Sequence, residues 1–147
     1  MGSALFAAAL ALAPLAARAD EAIGRIKTAT GAVTITQSGK TRPGVVGGPV
    51  YRSDTVATAA HSSVGITFVD NSLLALGPFS RLRLDEFKFN TTTHEGLFDV
   101  TLKRGTLAVK SGQIVKQTPE AMRVRTPVAV LGVRGTEFVV RAAGKED

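Results

Sequence analysis

The 147-residue chain contains no cysteine and no tryptophan, and it has only two histidines. The absence of cysteine excludes disulfides, thiolate zinc sites and thiol nucleophiles, so stability must come from packing. His61 and His94 are far apart in sequence and belong to no two-histidine metal motif. Each reads as a solvated surface residue, His61 in a turn and His94 in a polar loop. Neither a Gly-x-Ser-x-Gly elbow nor a Ser-x-x-Lys pair is present. Asp54, Asp70, Asp85 and Glu86 show no spacing typical of paired-carboxylate chemistry. No residue is therefore assigned to catalysis, to a metal or to a cofactor, and the chain is not expected to be an enzyme. Aromatics are few, and Phe87 and Phe89 read as core rather than as base-stacking platforms.

Long apolar runs are also missing, with one exception. Residues 4–17 are almost purely Ala and Leu, with Phe6 and Pro14 and no charge. The run is too short to span a bilayer as a helix. Ala17-Arg18-Ala19 then supplies the small-x-small pattern of a signal-peptidase site, although Met1-Gly2-Ser3 carries no cation. The expectation is an N-terminal signal helix, residues 1–19, cleaved before Asp20. It leaves one domain, residues 20–147, with no later apolar run able to anchor it. The formal net charge of +6 falls to +5 when Arg18 is removed. So modest a balance bears mainly on solubility and encounter rates.

What is present is period two. Val33 and Ile35, Val64 to Phe68, Leu82 and Leu84, Phe98 to Leu102, Leu107 and Val109, Met122 and Val124, and Phe138 and Val140 all alternate with small or polar partners. Such alternation places one side-chain set in a core and the other in solvent. The beat slips once, after Leu84, and resumes at Phe87 and Phe89. A strand cannot change faces unaided, so a β-bulge or tight corner is expected at Asp85-Glu86. Those two carboxylates would be exposed by that geometry.

Turn signals recur at short intervals, among them Ser38-Gly39-Lys40, Asp70-Asn71-Ser72, Gly77-Pro78, Arg104-Gly105 and Ser111-Gly112. Many short strands at this spacing predict an all-β domain. The preferred architecture is a curled β-roll or short β-solenoid-like domain, because Ser72 to Gly77 and Ser80 to Asp85 resemble successive rungs. A β-sandwich is the alternative. The polar run from Asn90 to Glu95 is expected to form a mobile loop or hairpin tip.

The most distinctive stretch runs from Arg125 to Val140. Pro127 biases Thr126 toward an extended conformation. Gly132 and Gly135 mark positions of positive φ or close approach. Arg134 between them needs a partner or a route to solvent. A phosphate-cradling or RNA-clamping loop would require an adjoining helix that the sequence does not offer. The stretch is read as a structural lock in which Arg134 bonds backbone carbonyls or a carboxylate such as Asp54 or Asp70. On this reading Arg134→Ala should cost about 2–4 kcal/mol of stability.

Several segments together resemble the FecR domain, a sensor module of Gram-negative bacteria. They are Gly31-Ala32-Val33, Asp54 to Thr58, Ser63 to Phe68 with Asp70-Asn71-Ser72, Leu76-Gly77-Pro78, and Thr126-Pro127 leading to Val133-Arg134-Gly135-Thr136-Glu137-Phe138. The family usually has Asp-Gly-Ser where this chain has Asp70-Asn71-Ser72, and Asn best tolerates the left-handed conformation that glycine would serve. The family-motif residues, read as structural, are Asp54, Asp70, Asn71, Ser72, Thr126, Pro127, Gly132, Arg134, Gly135, Thr136 and Phe138. The resemblance implies a stand-alone periplasmic member without the anti-sigma and receptor-contacting segments of full-length regulators. It also implies a protein partner, either a membrane sensor or an outer-membrane transducer, and no nucleic acid.

Cations recur at outward strand positions: Arg81, Arg83, Lys103, Arg123 and Arg125. They define a possible basic binding face for an anionic polymer or acidic partner. A carbohydrate- or polyanion-binding envelope scaffold is therefore the alternative to a signalling module. Outward cations also serve simply as solvation and edge protection.

Overall fold

The computed structural model describes residues 21–132 and 135–144. The expected signal segment, residues 1–19, lies outside them. The alternating segments form twelve strands: β1 (Gly24–Thr30), β2 (Val33–Gln37), β3 (Lys40–Pro43), β4 (Pro49–Val50), β5 (Thr55–Thr58), β6 (Ser63–Phe68), β7 (Leu73–Leu76), β8 (Arg81–Phe89), β9 (Gly96–Lys110), β10 (Met122–Arg125), β11 (Val130–Gly132) and β12 (Glu137–Ala142). The Ser38-Gly39 pair joins β2 to β3, both residues at positive φ, as a two-residue hairpin turn demands. One five-residue helix, α1 (Gln113–Gln117), stands where only a turn was expected at Ser111-Gly112.

The strand registers describe four long antiparallel passes, residues 24–37, 55–68, 73–89 and 96–110. β1 and β2 pair with β6 and β5, which pair in turn with β7 and β8. β7 and β8 then run one after the other along β9. The two rung-like segments thus lie end to end against one strand. Every pass bends at the same level: at residues 31–32, 59–62 and 77–80, and at Gly105. β9 continues through the turn expected at Arg104-Gly105, as one bent strand of fifteen residues.

The bends form a crease across the sheet, and each contains a residue of positive φ: Gly31 (72°), His61 (53°), Phe79 (51°) and Gly105 (94°). Glycine adopts this region without steric cost, whereas His61 and Phe79 must be held there by their surroundings. Buried hydroxyls take up backbone groups that the bends release from the ladders. Ser62 Oγ accepts from Ala32 N at 2.9 Å and donates to Ala60 O at 3.0 Å. Thr58 Oγ1 donates to Gly77 O at 2.6 Å and accepts from Ser80 N at 3.0 Å. Ser80 Oγ accepts from Thr106 N at 3.0 Å.

Folding along the crease turns both halves of the sheet onto one core. Ile26, Ile66, Leu74 and Leu107 come from one half, and Ile35, Val56, Leu82 and Leu102 from the other; all are buried. Full burial of such a side chain contributes about 1.5–3 kcal/mol. Phe68 of β6 meets Phe87 of β8 at 5.7 Å and Phe98 of β9 at 4.8 Å between ring centroids, which ties the two halves together. The domain is all-β, a single sheet curled on itself rather than two stacked sheets. The register shifts between Leu84 and Glu86, so the phase slip is a bulge at Asp85.

Candidate functional site

Asp54 opens β5 and is fully buried. Its Oδ2 accepts from Arg42 Nη2 at 2.7 Å and from Tyr51 N at 2.8 Å. The Arg42 guanidinium also donates to Pro49 O and lies 5.4 Å above the centre of the Tyr51 ring. Three segments are fastened around one carboxylate. Arg42 was not foreseen as its partner, because the pairing crosses the β3–β4 loop and carries no sequence spacing.

Asp70, Asn71 and Ser72 turn β6 into β7. Asn71 sits at φ 68°. Both oxygens of buried Asp70 are engaged: Oδ1 accepts from Ser72 N at 3.0 Å, and Oδ2 from Ser72 Oγ at 2.7 Å and Ile114 N at 3.3 Å. The Asp70 carbonyl accepts from Gln113 N at 2.8 Å. The turn therefore also docks the first residues of α1. Gly112 is required for this approach, because a Cβ there would lie 2.3 Å from Asp70 O. Arg134, expected near Asp54 or Asp70, lies outside the described residues.

The stretch from Thr126 to Val140 divides into two unlike parts. Met122 and Val124 of β10 are buried, and β10 runs parallel to β9. Thr126 N then donates to Ala129 O at 2.8 Å, and Ala129 N to Thr126 Oγ1 at 3.1 Å, closing a tight tip around Pro127 and Val128. β11 returns against β10 alone. No layer covers this hairpin among the described residues, so its apolar run faces solvent: Val128 is 93% exposed, Val130 57% and Leu131 40%. Of the residues read as a lock, Phe138 packs against the core and Val140 is buried, both in β12. Gly135 does take positive φ, at 98°, and its carbonyl accepts from Ser111 Oγ. Thr136 O accepts from Ser111 N. Gly132 lies in β11 outside the positive-φ region, and nothing among the described residues lies within 4 Å of a Cβ placed on it.

The predicted basic residues fall on the outward side of β8, β9 and β10, interleaved with acids. Arg83 bonds Asp85, whose other oxygen accepts from Thr101 Oγ1. Asp85 is thus bonded within the bulge rather than merely exposed by it. Register places Arg83 and Arg125 each opposite Thr101, Arg123 opposite Asp99, and Arg81 opposite Arg104. Lys103 is half-buried beside the register shift at Arg81.

A groove of about 640 Å³ lies over the crease beside Phe79, and Arg104 is the one charged side chain lining it among the described residues. His61 is exposed in its turn, whereas His94 stacks on Phe89 at 5.8 Å instead of standing free. Asn90 Oδ1 accepts from Thr92 N and Thr93 N at the tip of the β8–β9 hairpin. Among the described residues, no three His, Asp or Glu side chains gather as a metal site, and no helix is long and apolar enough to cross a membrane.

A family model, FecR protein, matches residues 54–146, from the buried Asp54 through β12 and beyond. The chain belongs to the FecR family. FecR proteins form a non-enzymatic signalling family whose domains are periplasmic. No curated protein and no solved structure matches the chain. Within this FecR domain, Asp54, Asp70, Asn71 and Ser72 hold strands and α1 together, whereas Thr126 and Pro127 shape a protruding hairpin.

Proposed function

We propose that this chain is an exported, non-enzymatic FecR module that acts in envelope signalling by binding a protein partner. The partner would be a membrane sensor or an outer-membrane transducer, and the contact would centre on the β10–β11 hairpin. The observation that carries this reading is the exposure of Val128, Val130 and Leu131 on a hairpin inside the family-matched segment. Large aliphatic side chains exposed along a protruding hairpin are the kind of surface that protein contacts bury. Arg123 and Arg125 flank the tip and favour an acidic rim on the partner.

The reading as a polyanion-binding scaffold draws less support from the geometry. Its cations share their surface with Asp85, Glu86 and Asp99, and Arg83 is bound to Asp85. A photo-crosslinking residue at position 128 or 130, introduced in cells, tests the proposal. The expected adduct contains a membrane sensor or an outer-membrane transducer. Adducts confined to peptidoglycan or lipopolysaccharide would overturn the reading.

A further inference from the structure

We infer that β12 pairs with β12 of a second copy of this chain, in antiparallel register about a two-fold axis through Val139. Among the described residues, β12 pairs with β9 alone. The other strands that end the described sheet are blunted, as natural edges usually are. β3 carries Lys40, Arg42 and Pro43, β4 is two residues long and begins with Pro49, and β11 has three residues. Among the described residues, β12 is the longest strand with one edge open along its whole length, and two valines lie at its centre.

The backbone groups at that edge follow from the ladder. Ser111 N donates to Thr136 O at 2.7 Å, so the Thr136–Ser111 pair is a hydrogen-bonded one. Antiparallel pairs alternate, so Phe138, Val140 and Ala142 also turn their N–H and C=O groups toward β9. The backbone groups of Glu137, Val139 and Arg141 then face outward from the edge. The side chains of these same three residues share the outer face, where Val139 is 61% exposed.

Charge selects the partner and the register. With Val139 on the axis, Glu137 stands opposite Arg141 of the partner subunit, and the pair occurs twice. Val139 meets Val139 of the partner subunit, and Phe138 meets Val140 of the partner subunit on the inner face. Moving the axis by one residue removes both charge pairs and displaces the apolar ones. The outer row Ala75–Ala108–Val139 would continue unbroken into the second copy. The residues named for this contact all lie in β12, and those named for the proposed function lie in β10 and β11, so the two can be tested separately.

Sedimentation of the chain from about 1 µM to about 300 µM tests it, a range that spans weak edge-to-edge association. A reversible dimer is expected. Glu137→Arg and Arg141→Glu should each weaken it by at least about tenfold, since two attractive pairs become repulsive. The double swap Glu137→Arg with Arg141→Glu should restore it to within about threefold of the parent. Melting temperatures of all three variants, taken at a concentration where the parent is monomeric, should stay within a few degrees of the parent, because both side chains are exposed. A monomer throughout the range, a dimer indifferent to the single reversals, or a double swap that stays monomeric would each overturn the inference.

Discussion

Ser80 Oγ occupies the space into which a side chain at position 105 would project: a Cβ on Gly105 would lie 2.1 Å from it. The same relationship recurs between Gly31 and Ser62, at 2.3 Å. In each case a positive-φ glycine at the bend of one pass packs against a buried serine at the bend of the neighbouring pass. The crease is therefore a repeated device, and the fold depends on it. Gly105→Ala meets both the φ of 94° and the steric overlap, and should cost about 2–4 kcal/mol. Urea unfolding measures this directly, and an unchanged midpoint would remove the crease from the account.

Asp70 holds the β6–β7 turn and the first turn of α1 with the same carboxylate. Asp70→Ala should lower stability by about 2–4 kcal/mol, because Ser72 N and Ile114 N lose a buried acceptor. Hydrogen exchange should show the Ile114 amide opening with the turn. Retained protection at Ile114 would mean that α1 is held by its apolar contacts alone.

Arg42 and Asp54 differ in what each has to lose. The Arg42 side chain is 35% exposed, so its pairing is screened by water. Asp54→Ala should be the costlier change, because Tyr51 N is left without its acceptor as well. A double-mutant cycle should return a coupling of about 1 kcal/mol between the two residues. Equal single-mutant costs would contradict the central place given to Asp54.

Much of the fold was legible because period-two alternation reports burial directly. The slip between Leu84 and Phe87 located the Asp85 bulge for the same reason. The crease was not legible. It rests on positive φ at His61 and Phe79, which sequence rules do not anticipate for such side chains, and on serine and threonine hydroxyls whose partners lie on neighbouring passes. The Arg104-Gly105 pair reads as a turn because glycine marks either a chain reversal or a bend, and only the neighbouring strands decide between them. Nor was the exposure of Val128, Val130 and Leu131 legible, because an apolar run reads alike in core and in solvent, and it is the neighbouring strands that leave this one uncovered among the described residues.

Val128 lies at the tip of that hairpin and should contribute nothing measurable to folding. Val128→Ser is expected to leave unfolding free energy within about 0.5 kcal/mol of the parent. It should nevertheless reduce crosslinking to the partner. A large loss of stability would show that the tip is packed in solution.

The measurement that bears most directly on the proposed function is the affinity of the crosslinked partner, followed from low to high salt for the parent and for Val128→Ser with Val130→Ser. Burial of the hairpin predicts a loss of at least about tenfold on the double substitution, together with a shallow salt dependence. An affinity that ignores both valines and falls steeply with salt would contradict it, and would transfer the contact to the cationic surface of β8, β9 and β10.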